Sequence, residues 1–309
     1  MKINRRRLLQ IIGSLGTAAW LVIYIHEPSF PTPDKLLILL IFVFMIFQQA
    51  LAMLKRLLPF VGLLLVYESF RGVAGRLNAH VDYDFAPHID RLLFGNLPTI
   101  DLQKWWWHGV VRWYDYILYF PYLLHFVLPL VLALLIWKTR ESAYWRFIGT
   151  FLVVTFASFV TFLIYPTAPP WLATQVQAIP PIERISSDVW FAMGIHNFPS
   201  LYQHVTPNPV AALPSLHAAW ATLLPIFVYK LYGHRWALLT AIYPLLIYVG
   251  TVYEGEHYAT DILLGIFYAL VGYWLTPRLI KQLAAGWRKL RPTWRRLKRA
   301  PVVPKALKD

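Results

Sequence analysis

The residues best suited to chemistry in this sequence are a histidine and an aspartate near the start of an apolar segment. His257 and Asp261 stand four residues apart. On a helix this spacing puts the two side chains on one face, one turn apart. The carboxylate can then hold one imidazole N–H and leave the other ring nitrogen as a lone pair. A buried structural pair that ties helices together would use the same spacing, so the pair alone leaves both interpretations open.

A second histidine and a proline-rich stretch lie upstream of this pair. Pro214-Ser215-Leu216-His217 opens one apolar segment, and Tyr165-Pro166-Thr167-Ala168-Pro169-Pro170-Trp171 follows another. Pro-Ser is also an ordinary helix start with Ser215 as its N-cap, and two prolines can simply stop a helix. The free N–H groups of a helix start nevertheless suit an anion such as phosphate.

The composition is typical of a polytopic membrane protein. Of the 309 residues, 58% are hydrophobic and 14% are charged, whereas soluble domains carry about a quarter charged residues. The 14 Trp and 18 Tyr residues suit a protein with two water–lipid boundaries. The lack of cysteine excludes disulfides, thiol catalysis and thiolate metal sites.

The lengths of the apolar segments predict an all-α membrane helical bundle of about eight transmembrane helices. No small-residue cleavage site follows the first segment, so we interpret it as a retained span rather than a cleaved signal. The charged pair Lys55-Arg56 is expected to end the second span, and His125 in the fourth is expected to hydrogen-bond between helices without a catalytic role. The predicted spans are 8–25, 36–54, 57–70, 113–137, 147–165, 215–229, 236–253 and 257–275.

Charge placement predicts the orientation of the bundle. We expect two added helices in residues 1–56, a six-helix catalytic core in 57–275 and a basic cytoplasmic tail in 276–309. Both termini then share a side that carries 22 of the 29 Lys and Arg residues, and the positive-inside rule assigns that side to the cytoplasm. The three motifs accordingly fall on the outer face, in what we expect to be the cell membrane. The tail suits anionic lipids, and no nucleic-acid partner is expected.

The order of the three motifs resembles the type 2 phosphatidic acid phosphatase superfamily. Pro-x-x-Pro-Pro-Trp, Pro-Ser-Leu-His and His-Tyr-x-x-Asp are most similar to the branch that contains fungal inositol phosphorylceramide synthase and many bacterial relatives. Further similar features are Tyr67-x-x-x-Arg71, residues 93–99 and Tyr114-Asp115. The resemblance covers residues 57–275.

This resemblance implies a mechanism based on two histidines. His257 would attack phosphorus and form a phosphohistidine, Asp261 would orient its ring, and His217 would act as acid and then base. No cofactor and no metal are expected. A zinc ion held by these same side chains is the rival interpretation, but no further acidic ligand set accompanies them. The residues expected to bind substrate are Arg71, Ser215, Pro169, Pro170, Trp171 and Tyr258.

The chain departs from the wider superfamily in its phosphate-binding residues. The usual Lys and Arg-Pro of the first motif are absent, and Thr251 stands where an arginine is usual. A transferring phosphoryl group needs fixed positive charge. Arg71 is therefore the predicted substitute, although a snorkelling interfacial arginine would look the same, and Arg112 and Arg184 are weaker candidates.

These features favour an integral membrane lipid phosphotransferase. It would move a phosphate-linked head group, with phosphoinositol as one candidate, from a phospholipid donor to a lipid hydroxyl. A phosphatase that uses water as the acceptor would carry the same residues around a different pocket. A non-catalytic lipid transporter or scramblase is the third alternative, and the intact set of two histidines and one aspartate argues against it. No oligomeric state is predicted.

Overall fold

The structure is a computed structural model that describes residues 4–27, 32–77, 80–194 and 209–297. This part of the chain forms helices and isolated bridges, without a strand. The helices are α1 (Arg5–His26), α2 (Pro33–Ile46), α3 (Ala50–Leu77), α4 (Phe85–Phe94), α5 (Pro98–Trp106), α6 (Trp113–Leu123), α7 (Val127–Thr139), α8 (Glu141–Ile164), α9 (Pro170–Gln175), α10 (Ile185–Ala192), α11 (Leu216–Tyr232), α12 (His234–Tyr253) and α13 (Ala259–Leu297).

Five of these helices contain an apolar stretch long enough to cross a membrane. The stretches are Arg5–His26, Ala50–Tyr67, Glu141–Ile164, His234–Tyr253 and Ala259–Gly286. The pair α6 and α7 is a sixth candidate, bent by 50°. Helices α2 and α11 are apolar but have only 14 and 17 residues, or about 21 and 26 Å of helix, against a hydrocarbon core of about 30 Å. The predicted class, an all-α polytopic membrane bundle, is confirmed.

The break between the second and third spans lies upstream of the predicted position. The chain turns at Phe47–Gln49, where Gln48 has a φ of 58°, and α3 then runs through Lys55-Arg56 without interruption. Arg56 forms an ion pair with Glu141, and the Tyr144 hydroxyl donates to the carbonyl of Arg56 at 2.7 Å. The prediction that this charged pair ends a helix was wrong, because α8 supplies polar partners beside the helix.

The predicted fourth span is two helices rather than one. Helix α6 ends at Leu123 and α7 begins at Val127. Pro129 has no N–H, and its ring crowds the carbonyl four residues earlier, which belongs to His125. The His125 N–H donates to the Tyr122 carbonyl at 3.2 Å, three residues back rather than four. The break therefore presents a turn, rather than a continuous helix, to His217 and Trp220 of α11.

The core around α11 is aromatic. Trp220 of this helix packs against Phe60 of α3 and Phe151 of α8, and its indole N–H donates to the Thr155 hydroxyl at 3.0 Å. Helix α11 also packs along α12 and α13. This buried helix thus fixes α8, α12 and α13 around one centre.

The last helix extends beyond the predicted end of the eighth span. Helix α13 has 39 residues, or about 58 Å of helix, and does not stop at residue 275. The predicted division into 1–56, 57–275 and 276–309 stays a prediction, since it concerns function rather than helix ends. Residues 298–309 of the tail lie outside the described residues.

Candidate active site

His257 and Asp261 meet at the start of α13. Asp261 lies in the first turn, while His257 lies two residues before the helix, which begins later than predicted. The distance from His257 Nδ1 to Asp261 Oδ2 is 3.3 Å, and the same oxygen accepts the Tyr258 N–H at 2.9 Å. Both side chains are buried. The positive end of the helix dipole favours a carboxylate at this position.

His217 continues the chain of contacts. Its Nδ1 lies 3.3 Å from Nε2 of His257. If Nδ1–H of the neutral His257 ring donates its hydrogen bond to the Asp261 carboxylate, then Nε2 of His257 carries the lone pair, and Nδ1–H of His217 must be the donor to it. The arrangement is thus an ordered relay from Asp261 through His257 to His217.

Backbone contacts hold the two halves of this relay together. The Ser215 hydroxyl accepts the Ala218 N–H at 3.2 Å, which makes Ser215 the N-cap of α11. The Ser215 N–H donates to the carbonyl of Asp261 at 3.0 Å. A Cβ at Gly265 would lie only 2.4 Å from the Ser215 carbonyl oxygen, so α11 and α13 approach as closely as glycine permits.

The break between α6 and α7 supplies two rings that pack on His217. Tyr122 stacks on His217 with ring centroids 4.4 Å apart and an angle of 24°. His125 lies 4.4 Å from His217 on a tilted plane and stacks on Trp220 at 4.6 Å. The sequence analysis did not connect His125 with the site. The signal that could have indicated it is the pair Pro121 and Pro129, which marks a break around His125.

The first motif braces the loop that carries His257. Pro169 caps α9, Pro170 begins it, and both are buried. The Trp171 N–H donates to the Gly255 carbonyl at 3.0 Å. Upstream, Thr167 bridges to Asp82 and Ala211. The predicted substrate-binding prolines are thus packed inside the protein, while Trp171 lies beside the His257 turn.

An ion pair flanks the site on the other side of Trp171. Arg184 Nε donates to Glu256 Oε1 at 2.8 Å, and the guanidinium lies 4.0 Å from the centroid of the Trp171 ring. The Ser186 hydroxyl bonds to the same carboxylate. Burial lowers the pKa of Arg184, but Glu256 outweighs it and leaves the pKa raised, so the guanidinium is charged.

Tyr258 and Asp90 anchor the start of α13. The ring of Tyr258, a predicted substrate contact, is 1% exposed and packs in an apolar cluster with Ala168. Asp90 accepts hydrogen bonds from the Thr260 N–H at 2.8 Å and the Ala259 N–H at 3.0 Å. Burial raises the pKa of Asp90 in spite of these bonds. The sequence analysis missed Asp90 as a cap because it lies about 170 residues away along the chain.

Glu254 is a second acid that the sequence analysis did not identify. It is 1% exposed, and its two carboxyl oxygens have no hydrogen-bond partner among the described residues. Burial, with smaller contributions from Glu256 and Asp115, raises its pKa well above the usual value. This carboxyl group therefore keeps its proton to a higher pH than a solvent-exposed glutamate does.

The structure describes α3, but not the side chain of Arg71 within it. The expectation that Arg71 reaches the phosphate therefore stays a prediction. Across residues 4–27, 32–77, 80–194 and 209–297, no group of three or more His, Cys, Asp or Glu side chains is arranged to hold a metal ion. The donor atoms of His217, His257 and Asp261 face one another in a row instead of facing a common point.

Comparison with known families decides the classification. The sequence model of the PAP2 superfamily matches residues 89–275. The chain belongs to the PAP2 superfamily. The resemblance inferred from the motifs is thereby confirmed, and the matched PAP2 region contains both histidines and Asp261 as well as Asp90 and Arg184. Arg71 lies before it.

A curated relative gives a narrower indication within the PAP2 superfamily. The chain is 32% identical over 161 residues to the phosphoinositol dihydroceramide synthase of Bacteroides thetaiotaomicron. The aligned part is 49% of this chain and 52% of the relative, so the chain spans about half the length of the curated relative it matches. No solved structure matches the chain. PAP2 membership and this relative support an enzyme of the phosphatase or phosphotransferase kind that acts on lipids.

Proposed function

We propose that this protein is a lipid phosphotransferase that moves a phosphate-linked head group from a phospholipid to a lipid hydroxyl. The observation that carries the proposal is the relay from Asp261 through His257 to His217, with two contacts of 3.3 Å. The head group we favour is phosphoinositol, because the relative that matches is named for it. The proposed reaction needs no metal ion, because His257 is paired with Asp261 on one ring nitrogen and with His217 on the other.

The first step forms a covalent intermediate. Nε2 of His257 attacks phosphorus, a P–N bond forms, and the P–O bond to the diacylglycerol breaks. Before the reaction the His217 Nδ1–H donates to His257 Nε2. It loses that acceptor when phosphorus takes the lone pair of Nε2. The same proton can then pass to the departing oxygen. Asp261 stabilises the positive charge that develops on the His257 ring.

The second step returns the enzyme to its starting state. His217, now with a free lone pair on Nδ1, accepts the proton of the incoming hydroxyl. The hydroxyl oxygen attacks phosphorus, a P–O bond forms, and the P–N bond to His257 breaks. Tyr122 and His125 keep the ring of His217 in place through both steps.

Substrate contacts are proposed from the elements that surround the relay. We propose that the free N–H groups at the start of α11, next to Ser215, face the phosphate, and that Arg71 supplies positive charge. Trp171 would contact the head group, while Pro169, Pro170 and Tyr258 would shape the pocket from behind. Replacing Arg71 with Ala should lower turnover strongly and Lys should restore part of it. Wild-type turnover in a folded Arg71→Ala protein would remove Arg71 from the site.

A phosphatase that uses water is the second candidate. The packing of Trp171 against the His257 turn favours transfer, since a transferase must keep water away from the intermediate. Replacing Trp171 with Ala should raise hydrolysis relative to transfer to a lipid alcohol. An unchanged ratio would favour a phosphatase whose pocket does not exclude water.

The proposed orientation puts the site on the outer face of the cell membrane, with both termini in the cytoplasm. The asymmetry of Lys and Arg supports it. A tag placed after Lys308 should resist protease in sealed right-side-out vesicles. A tag cut from the exterior would reverse the orientation.

Trapping of the intermediate tests the mechanism. With phosphatidylinositol labelled in its phosphate, the wild-type protein should accumulate an acid-labile, base-stable adduct, and the His257→Ala protein should accumulate none. The His217→Ala protein should still accumulate some label. Label that persists without His257 and vanishes without His217 would reverse the two roles, whereas no adduct in any variant would indicate direct transfer between the lipids.

A further inference from the structure

The proposed phosphoryl transfer needs a fixed cation that the described relay does not contain. Thr251, at the position where the superfamily usually has an arginine, is buried, and its hydroxyl donates to the Ile247 carbonyl at 2.8 Å. Ala168 in the first motif is buried as well and carries no charge. Both positions are therefore closed to the phosphate.

Arg184 combines charge with an open hydrogen-bonding edge. Its Nε and Nη2 face the two oxygens of Glu256, at 2.8 and 3.4 Å, and one face of the guanidinium covers Trp171. Within the described chain, Nη1 makes no hydrogen bond, and 42% of the side chain stays exposed. Glu256 is 12% exposed and needs a partner for its charge, so the ion pair holds the guanidinium in place while its outer edge stays within reach of solvent.

The backbone around Arg184 is held against the end of α12. The amide of Gln103 donates to the carbonyls of Glu183 at 2.8 Å and Tyr253 at 2.9 Å, and its oxygen accepts the Glu183 N–H at 2.9 Å. Two hydrogen bonds to one buried side chain therefore fix Glu183, the residue that precedes Arg184, and a third ties that side chain to the end of α12. The arginine is placed by the fold, not by a free loop.

This placement ties the guanidinium to the turn that carries His257. Its partner Glu256 immediately precedes His257. Trp171, which the guanidinium covers, donates its N–H to the Gly255 carbonyl of the same turn at 3.0 Å. A phosphate that reaches His257 would thus approach the turn against which Arg184 is held.

We propose that Arg184 binds the phosphate of the donor lipid, with its Nη1 edge on the non-bridging oxygens while Glu256 holds the opposite edge. An arginine can serve both anions because it has five N–H donors in a fixed plane. Glu256 and Trp171 orient the guanidinium before the lipid arrives, which lowers the cost of ordering it. This inference rests on the proposed function and adds a phosphate contact to it.

Orthovanadate, a phosphate mimic, tests the inference on the purified full-length protein without any lipid substrate. The wild-type protein should bind vanadate, and His257→Ala should abolish binding. Charge-assisted hydrogen bonds contribute about 1.5–3 kcal/mol each, so Arg184→Ala should weaken binding about 10- to 100-fold. Arg184→Lys keeps the positive charge but loses the paired N–H donors of the guanidinium, so it should weaken vanadate binding less than Arg184→Ala does.

Two control variants separate binding from structure. Arg235→Ala removes the same charge from an exposed position near the start of α12, 18 residues before Tyr253 and so about 27 Å along the helix, and should bind vanadate as the wild type does. Glu256→Gln breaks the ion pair but leaves the guanidinium charged and next to Trp171, so the affinity for vanadate should fall less than in Arg184→Ala. A merely structural ion pair would instead make Glu256→Gln and Arg184→Ala equivalent. The melting temperature of each variant checks its folding, and Arg184→Lys carries the test if Arg184→Ala does not fold.

The outcomes distinguish the inference from the proposed function. Wild-type affinity in a folded Arg184→Ala protein, together with loss of binding in His257→Ala, overturns the inference and leaves the proposed function standing. A wild-type protein that binds no vanadate and forms no adduct overturns the proposed function, and the inference with it.

Discussion

Gly265 sets the distance between α11 and α13, which position the two histidines of the proposed site, and replacing it with alanine should disable the enzyme without unfolding it. The added Cβ would lie 2.4 Å from the Ser215 carbonyl oxygen and 3.0 Å from the Cβ of Ala218. An ordinary contact needs at least 3.4 Å, so α11 and α13 must separate by about 1 Å. Neither neighbour can rotate away, because one is a backbone atom and the other is an alanine.

The size of the catalytic loss follows from this displacement. His217 lies on α11 and its partner His257 directly precedes α13, so the contact of 3.3 Å between them would lengthen to about 4.3 Å, beyond the reach of a hydrogen bond. A misplacement of about 1 Å costs on the order of 100-fold in rate. Overpacking costs about 1–3 kcal/mol, and the better helix propensity of alanine returns up to about 1 kcal/mol.

The assay is the single-turnover rate of phosphohistidine formation with labelled phosphatidylinositol, beside the melting temperature. Gly272→Ala is the matched control, since it adds a methyl group to the same helix, two turns away, against the Val154 side chain at 2.3 Å. It should lower stability but keep most of the rate. Gly62→Ala, with nothing within 4 Å, should keep both. Equal rates in the Gly265 and Gly272 variants would refute the argument that helix separation controls the site.

Three further predictions concern the relay and its surroundings. Asp261→Asn should lower the rate of phosphohistidine formation by about 100-fold or more with little change in melting temperature, because the amide can donate to the histidine and favour the wrong tautomer. His125→Ala should lower turnover about tenfold, because an aromatic pair contributes about 0.5–1.5 kcal/mol and the His217 ring would lose this contact. His125→Phe keeps a ring at this position and should lower turnover much less, whereas equal losses in the two variants would contradict a role for ring packing. The pKa of Glu254 is raised by folding, so the folded protein keeps a proton that the unfolded chain releases above a pH of about 4.3. The free energy of unfolding of the wild type should therefore fall as the pH rises from about 4.3 to the pKa of the folded state, by up to about 1.4 kcal/mol per pH unit. The stability of Glu254→Gln should lack this dependence on pH. If the wild type and Glu254→Gln lost stability in parallel as the pH rose, the raised pKa of Glu254 would be contradicted.

The relay could be predicted because its chemistry is local. His257 and Asp261 are four residues apart, and Pro-Ser before His217 indicates a helix start, so spacing alone places the groups. Composition likewise predicted a membrane bundle, since apolar segments of spanning length are typical of transmembrane helices. Helix ends were harder to predict. Lys55-Arg56 indicated the end of a helix, but Glu141 on α8 pairs with Arg56 and allows the charge to lie within α3.

The remaining parts of the site depend on contacts between distant segments. Asp90 caps a helix that begins about 170 residues later, and Gln103 holds Glu183 through a buried amide. No periodicity in the sequence records either contact. Pro121 and Pro129 indicate where the chain bends near His125, but the direction of the bend is set by packing of His125 against Trp220. The sequence could therefore indicate which histidines and aspartate come together, but not which residues surround them.

The close approach of α11 and α13 fixes the spacing of the two histidines independently of the side chains that would contact the lipid. The Ser215 N–H to Asp261 carbonyl bond and the contact at Gly265 involve the main chain, so they do not depend on which side chains face the lipid. Exposed side chains in residues 80–111 and 166–194 can therefore change while the spacing of the two histidines stays constant. Relatives with this helix contact could in this way differ in head group or acceptor and still keep the proposed phosphoryl transfer.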